Sequence, residues 1–391
     1  MIAQLRRSIP QQLRDVARQA FGRKPAPPAP VGVPVVDPRQ GFQIPFWYQW
    51  NHCEPTVSLA LRDLCRPGDV VFDVGANAGS LSVLMSRLVG PRGIVCAFEA
   101  SPRIIDKCQY NLAANGCSNV TLYHRAVCRE SRQLVRVFAG PHLNDSIVQW
   151  SDSDESHLVP SVNIDDFIAY SGLVPKLIKM DIEGAEFDAL QGMSHTLAAL
   201  RPYLILEQSP RDLRCVELLR QHGYQAIDLA TLRPVASTAD FPPQVDVANV
   251  LYLPNDRIGP TPYGQCGTRR EVARLAPEQF SVRSLGTRLL EPALPLEPGR
   301  YAIELLVESD SQESEVMCGV EVDGQPLVRY HANAHFLSRS YRHWVLGLSH
   351  PEHVQLFWRV VNEQADPGLR FRGATIERLE SFDHWPAPLV E

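Results

Sequence analysis

Four carboxylates stand at the ends of four short apolar runs: Asp73 in Val70-Val71-Phe72-Asp73-Val74, Glu99 after residues 93–98, Asp181 after 177–180 and Glu207 after 203–206. If the runs are parallel strands of one sheet, their carboxyl ends share an edge and the four acids converge on one crevice. Like charges about 4 Å apart repel by about 4 kcal/mol at an effective dielectric near 20, so such an edge suits a ligand that brings positive charge and hydroxyls rather than a diphosphate. Glu99 stands where nucleotide-binding α/β folds keep the acid that accepts ribose hydroxyl hydrogen bonds. Between Asp73 and Ser80 the chain reads Val74-Gly75-Ala76-Asn77-Ala78-Gly79. The two glycines let the backbone turn and approach a ligand closely. The dinucleotide fingerprint would also need glycine at 77 and 80, where Asn77 and Ser80 stand.

A second constellation lies in Lys179-Met180-Asp181-Ile182-Glu183-Gly184-Ala185-Glu186. An alcohol is a poor nucleophile until its proton is taken, and a positioned carboxylate can take it. Asp181 or Glu183 is the candidate base, with Lys179 orienting the carboxylate or the substrate. Glu183 and Glu186 also read as first-turn acids facing a helix dipole. Asp165 and Asp166 precede Phe167 as an N-cap pair, or Asp165 reaches the crevice. A divalent cation shared by Asp165, Asp181 and Glu183 is the less favoured reading, and no metal is expected. The polar stretch 140–158 reads as a lid or acceptor loop. Its His142 and His157 are either contacts of that loop or surface histidines.

These residues need a scaffold that brings strand ends together. From residue 69 to about 253, apolar runs at 70–74, 93–98, 120–123, 177–180 and 203–206 alternate with helical patterns at 80–88, 101–114, 184–200 and 211–223. That alternation predicts an α/β fold on a mostly parallel sheet. Ser101-Pro102 reads as an N-cap with proline in the first turn. Runs at 301–307, 315–322, 327–330, 343–348, 354–361 and 370–379 have strand length, with Asp323-Gly324 as a hairpin pair between two of them. They predict an all-β, jelly-roll-like sandwich. Tyr330, Phe336, Tyr341, Trp344 and Trp358 in this region either form its core or stack on sugar rings.

Val71 to Ser80, Phe98-Glu99, Ile164-Asp165-Asp166-Phe167, Leu177 to Glu186 and Leu206-Glu207 together resemble the FkbM-type methyltransferases. The resemblance covers residues 45 to 253. It implies the class I, Rossmann-like methyltransferase fold and transfer of a methyl group to a hydroxyl of a sugar or other metabolite. It also implies S-adenosylmethionine as cofactor, whose sulfonium, ammonium and ribose diol answer the acidic edge. Asp73, Gly75, Asn77, Gly79, Glu99, Ala126 and Asp181 are then the expected cofactor contacts. A glycan or small-molecule hydroxyl is the expected acceptor. An NAD(P)-dependent oxidoreductase, and a glycan-binding protein with a degenerate methyltransferase domain, remain open alternatives.

Among 391 residues, 38 Lys+Arg face 44 Asp+Glu, a net charge of -6 that argues against nucleic acid as the main partner. Nine cysteines, an odd number without a C-x-x-C pair, suggest reduced thiols rather than a disulfide framework or zinc site. No apolar run has the length to span a bilayer, and residues 1–21 lack the apolar core of a secretory signal, so a cytoplasmic protein is expected. The basic segment 1–24 could lie as a short amphipathic helix (Leu5, Leu13, Val16, Phe21) against an anionic membrane or a partner. Prolines 25, 27, 28, 30, 34 and 38 follow as a stiff linker. With the prolines crowding residues 242–262, they set expected borders: a basic segment and linker at 1–40, the cofactor-binding domain at 41–258, and the β domain at 259–391.

Overall fold

In this computed structural model the chain is described over residues 32–33, 42–43, 54–140, 144–149, 155–242, 245–257, 263, 269–282, 287–308, 315–323, 325–333, 343–348, 351–360 and 370–380. The basic segment, most of the proline linker, His142, Phe336 and Tyr341 lie outside the described residues. Gly32–Val33 pairs with Phe42–Gln43 in a two-residue antiparallel ladder that the proline pattern did not suggest.

The runs at 70–74 and 177–180 form strands with those bounds, because an apolar run buried on both faces leaves little freedom in where it ends. In chain order the first region contains α1 (Pro55–Leu64), β1 (Val70–Val74), α2 (Ser80–Val89), β2 (Ile94–Glu99), α3 (Ile105–Ala114), β3 (Val120–His124), β4 (Ala126–Val127), β5 (Leu134–Phe138), β6 (Ser156–Val162), α4 (Ile164–Ser171) and β7 (Leu177–Met180). There follow α5 (Glu186–Gln191), β8 (Tyr203–Gln208), α6 (Arg214–Gln221), β9 (Tyr224–Asp228), β10 (Arg233–Val235) and β11 (Ala248–Pro254). Eight strands make one sheet in the order β10-β9-β11-β8-β7-β1-β2-β3. β3, β2, β1, β7 and β8 are parallel, and β11 runs antiparallel between β8 and β9. The carboxyl ends of β1, β2, β7 and β8 therefore share one edge, as the apolar runs predicted.

Alternate residues of each strand enter two separate cores. Val71, Leu177 and Ile205 pack with α1 and α2 on one face, while Phe72, Ile178 and Leu206 pack with α4, α5 and α6 on the other. The same period of two carries Asp73, Lys179 and Glu207 onto the face covered by α1.

Two helices differ from their sequence patterns. The 184–200 pattern breaks into α5 and a π-helical turn, Thr196–Leu200. Gly192 sits at the break, where a Cβ would come 2.8 Å from both the Arg129 carbonyl and the Asn163 Cβ. The 101–114 pattern turns helical only at Ile105, after a turn over residues 102–104 in which the Ser101 hydroxyl accepts the Arg103 amide at 3.1 Å while donating to Asp145. β4, β5 and β6 form a small sheet of their own that the sequence pattern did not suggest, and only the start of β6 falls in the polar stretch 140–158.

The C-terminal strands are β12 (Arg269–Leu275), β13 (Phe280–Val282), β14 (Arg288–Leu290), β15 (Leu294–Leu296), β16 (Gly299–Glu308), β17 (Glu315–Val322), β18 (Gln325–Asn333), β19 (His343–Leu348), β20 (Glu352–Val360) and β21 (Arg370–Leu379). They build two antiparallel sheets, β12-β21-β16-β19 and β13-β14-β20-β17-β18, with β15 on β20. Val322 pairs with Gln325, so β17 and β18 form the hairpin that was expected around Asp323. Leu275, Ile303 and Leu305 from one sheet share a cluster with Val316, Val320 and Leu356 from the other. Trp358 is buried there against Phe371, ring centroids 5.3 Å apart, which makes it core and not a sugar platform. The side chains of Tyr330 and Trp344 lie outside what is described.

α1, which the sequence pattern did not suggest, is the joint between the two regions. Leu59 and Leu61 share a cluster with Val345 and Leu379 of the C-terminal strands. Asp63, fully buried, accepts hydrogen bonds from the Tyr263 hydroxyl at 2.8 Å and from the Arg300 guanidinium. No helix among the described residues is long and apolar enough to cross a membrane. Asp63→Ala is expected to destabilise the protein by about 3 to 5 kcal/mol, since it leaves a largely buried guanidinium without its carboxylate. Chemical denaturation measures this, and a loss under about 1 kcal/mol would mean that the pair behaves like a surface ion pair.

Candidate functional site

The turn after β1 is shaped by contacts that only glycine allows. Gly75 has φ +82, and a Cβ there would lie 1.7 Å from the Asp181 carbonyl oxygen, so the turn presses directly on the segment following β7. The amides of Gly75 and Ala76 both donate to the Phe98 carbonyl, and the Asp181 amide donates to Val74. These bonds lock together the carboxyl ends of β1, β2 and β7. Gly79, φ +85, packs against Cys108 of α3. Asn77 holds φ +48, with its side-chain oxygen accepting from the Ala78 amide at 2.7 Å.

A cleft opens above these ends. Gly75, Asn77, Glu99, Ala126, Asp181 and Glu183 line it, together with Arg125 and the 144–147 segment. Of the expected site residues, Asp73, Gly79 and Lys179 are not in its lining. Asp73 lies fully buried behind the wall, accepting from the Ser82 hydroxyl, and its other oxygen has no hydrogen-bond partner.

Glu99 is 7 % exposed and accepts from the Asn77 amide at 2.7 Å and the Ser101 amide at 2.6 Å. Burial pushes its carboxyl up to about 7, against the pull of those two amides. It is a positioned acceptor and not a solvated cap.

Lys179, 3 % exposed, meets Asp181 at 3.1 Å. Burial alone would lower the ammonium, but the carboxylates of Asp181, Glu54, Asp73 and Glu207 hold it well above its ordinary value. Burial alone would raise Asp181, yet Lys179 holds it below the usual carboxylate range. Around this pair the other acids move upward. Burial, aided by Asp181, pushes Glu183 up to about 8 and Glu207 well above its ordinary value. Glu207 is thereby placed to donate a proton to Asp181. Burial also takes Glu54 up to about 7. Glu54 had no signal in the sequence: it precedes α1 with φ +26, 125 positions from Lys179 in the chain.

Glu183, φ +56, faces the cleft from the turn before α5, whereas Glu186 turns back to accept the Ile182 and Gly184 amides. Of the two, Glu183 lines the cleft. Asp181, Glu183 and Glu207 place carboxylate oxygens within 4.8 Å of one another. Asp165 is not with them: it accepts from the His195 and Thr196 amides and the Thr196 hydroxyl, capping the π-helical turn. The cation set of Asp165, Asp181 and Glu183 is thus not assembled. Asp166 stands in the first turn of α4, whose N-cap is Asn163.

The polar stretch after β5 does reach the cleft. Asp145 accepts from the Ser101 hydroxyl, the Arg103 guanidinium and the Gly140 amide, and the Ser146 hydroxyl donates to the Ile182 and Glu183 carbonyls at 3.2 and 2.9 Å. His157 stands instead on β6 beside Glu155, 40 % exposed, outside the cleft lining. The cleft thus offers Glu99, Asp145, Asp181 and Glu183 against Arg125, with Ile104, Ile147 and Ile182 for apolar contact. That set takes a ligand with a cationic centre, hydroxyls and a flat apolar part, and would repel a diphosphate.

Residues 73–226 match the family model for the Methyltransferase FkbM domain. The 2-O-methyltransferase NoeI of Sinorhizobium fredii is 28% identical over 182 residues, which cover 41% of this chain and 73% of that protein. The 31-O-demethyl-FK506 methyltransferase FkbM of Streptomyces tacrolimicus is 28% identical over 196 residues, 41% of this chain and 75% of that one. The catalytic subunit TRM61 of the tRNA (adenine(58)-N(1))-methyltransferase of Cryptococcus neoformans is 35% identical over 77 residues, 19% of this chain, and the match spans only 18% of its length.

Gly75→Ala is expected to destabilise the protein by about 2 to 4 kcal/mol, because backbone must move to admit the methyl. Gly79→Ala, whose Cβ would meet the Cys108 thiol at 3.0 Å, should cost about 1 to 2 kcal/mol. Thermal unfolding of the two variants side by side tests the order.

Proposed function

Residues 73–226 belong to the FkbM-type methyltransferases, and from that premise we propose that this chain is an S-adenosylmethionine-dependent O-methyltransferase acting on a hydroxyl of a sugar, polysaccharide or glycoconjugate. The observation that carries the reading is the pairing, in one cleft, of a buried ribose-type acceptor, Glu99, with the Asp181–Glu183 edge backed by Lys179. The donor set fits the cofactor: Glu99 for the ribose hydroxyls, Asn77 and Ala126 beside it, and carboxylates for the sulfonium and ammonium. Asp73, Gly75 and Gly79 shape the turn that holds it.

When bound, S-adenosylmethionine supplies a methyl carbon whose bond to sulfur breaks as a bond to the acceptor oxygen forms. Alignment of the two reactants can contribute up to about 7 to 11 kcal/mol. Glu183 takes the hydroxyl proton in this reading, because a base works best when its pKa lies near the working pH. Asp181 stays ionised beside Lys179 and fixes the field around that base.

Oxygen acceptors appear in the names of both FkbM-type relatives. A nucleic-acid acceptor such as the name of TRM61 indicates finds no basic surplus in 38 Lys+Arg against 44 Asp+Glu. We assign cofactor and catalysis to residues 41–258 and read 259–391 as a sandwich module that presents the acceptor. A cytoplasmic location suits the reduced thiols, and the basic N-terminus remains a candidate for weak membrane or partner contact.

Transfer of labelled methyl from S-adenosylmethionine to fractionated cell polysaccharide and small metabolites tests the function. Label confined to non-sugar fractions would overturn the glycan acceptor. Glu183 accepts a proton only when ionised, so kcat should rise with pH through about 8. Glu183→Gln should lower kcat by about 10² to 10⁴ and flatten that limb. Glu99→Ala should weaken S-adenosylmethionine binding by about tenfold or more in calorimetric titration, as loss of hydrogen bonds to a buried charged acceptor does.

A further inference from the structure

The edge of the main sheet continues past the reactive cleft. Asn249 of β11 lies opposite Glu207 of β8, and Asp228 of β9 lies opposite Val250 of β11. Neighbouring strands stand about 4.8 Å apart, so the carboxyl end of β9 is about 10 Å along the edge from Glu207. A second cleft opens there, between the segments flanking β10 and the first C-terminal sheet. Thr231, Arg233 and Asp240 form one wall, and Glu304, His343 and Glu377 the other.

The chemistry of this cleft is unlike that of the first. Its charges nearly cancel, Arg233 and Arg269 standing against Asp240, Glu304 and Glu377. Most of them already have a partner. Arg269 pairs with Glu377 at 3.2 Å and donates to the Leu232 carbonyl at 3.0 Å. His343 Nε2 lies 3.8 Å from Glu304, and Asp240 accepts the Ala236 and Ser237 amides. Glu304 and Glu377 nevertheless stay 31% and 32% exposed, so both carboxylates reach the solvent of the cleft. A polyanion would meet three carboxylates there, and a cation two guanidinium groups. A neutral chain of hydroxyls, which donates and accepts in turn, meets neither objection.

We propose that this second cleft is a distal acceptor subsite, holding a neutral, polyhydroxylated unit of an extended chain whose reacting hydroxyl lies beside Asp181 and Glu183. The inference deepens the glycan reading above and rests on it. It gives the C-terminal module a contact of its own with the acceptor: half of the subsite wall comes from β12, β16, β19 and β21. The acceptor then bridges two clefts on one edge, and affinity depends on chain length.

The test uses the full chain on a printed array of neutral and anionic oligosaccharides of one to eight units, read with labelled wild type, Arg233→Glu and Thr375→Trp. Arg233 is exposed, so its variant tests the subsite without disturbing the core, while Thr375→Trp fills the cleft. Neutral chains of several units should bind the wild type and bind both variants about tenfold or more weakly, the effect of losing a few hydrogen bonds. Retention of S-adenosylmethionine binding shows that the variants are folded. Binding that is independent of length, confined to anionic chains, or unchanged in both variants would overturn the subsite while labelled methyl on a sugar acceptor keeps the glycan reading. Absence of binding and of methyl label on every glycan would overturn both.

Discussion

A lysine ammonium withdrawn from water controls the electrostatics of the reactive edge. Burying an ammonium without a partner costs several kcal/mol even after relaxation, so Lys179 has to be surrounded by carboxylates to stay charged. Asp181 meets it directly, and Asp73, Glu54 and Glu207 add their fields from three other elements. One cation cannot hold four neighbouring carboxylates ionised. Of the four, Asp181 keeps its charge, whereas Asp73, Glu54 and Glu207 are driven toward the protonated form by burial, as is Glu183 beside them. Groups whose pKa values are pushed apart in this way are suited to divide acid and base duties.

Strand register makes that arrangement possible. Asp73 pairs with Lys179 and Lys179 with Ile205, so residues from β1, β7 and β8 stand in one row across the sheet. A slip of one residue in β7 would send Lys179 into the opposite core in place of Ile178 or Met180, against Phe72 and Leu206. The near-continuous apolar character of β1 and β7 guards against such a slip, since each of their other positions is committed to a core.

The same apolar runs are why the parallel sheet and its acidic edge were readable from the residue order. Asp73, Glu99, Asp181 and Glu207 end those runs, and their convergence follows from strand direction alone. What could not be read depends on contacts distant in sequence. Asp165 looked like a helix-start acid near the crevice but caps the Thr196 turn, some thirty residues on. Ser101 caps the turn as its residue type suggests, accepting the Arg103 amide, but the α-helix itself starts only at Ile105, and the same hydroxyl is also bound to Asp145, more than forty positions on. The pattern at 184–200 was periodic enough for one helix, and only the crowding of Gly192 against Arg129 and Asn163 shows why it breaks. α1 carried little local signal because the partners that hold it, Tyr263, Arg300 and Val345, lie 200 or more positions away, and Glu54 because the charged groups around it, Lys179 and Asp181, lie on β7 and the segment after it.

α1 has its two ends in different places. Glu54, at its start, stands among the acids around Lys179; Asp63, near its end, is bound by Tyr263 and Arg300. Ten helical residues span about 15 Å, so the helix bridges that distance as one rigid body. A chain truncated after β11 would retain every residue of the methyl-transfer edge, yet strip α1 of its outer packing and leave Asp63 without either partner. Inactivity of such a fragment would measure the seating of a helix, and would say nothing about which acceptor the missing sheets recognise.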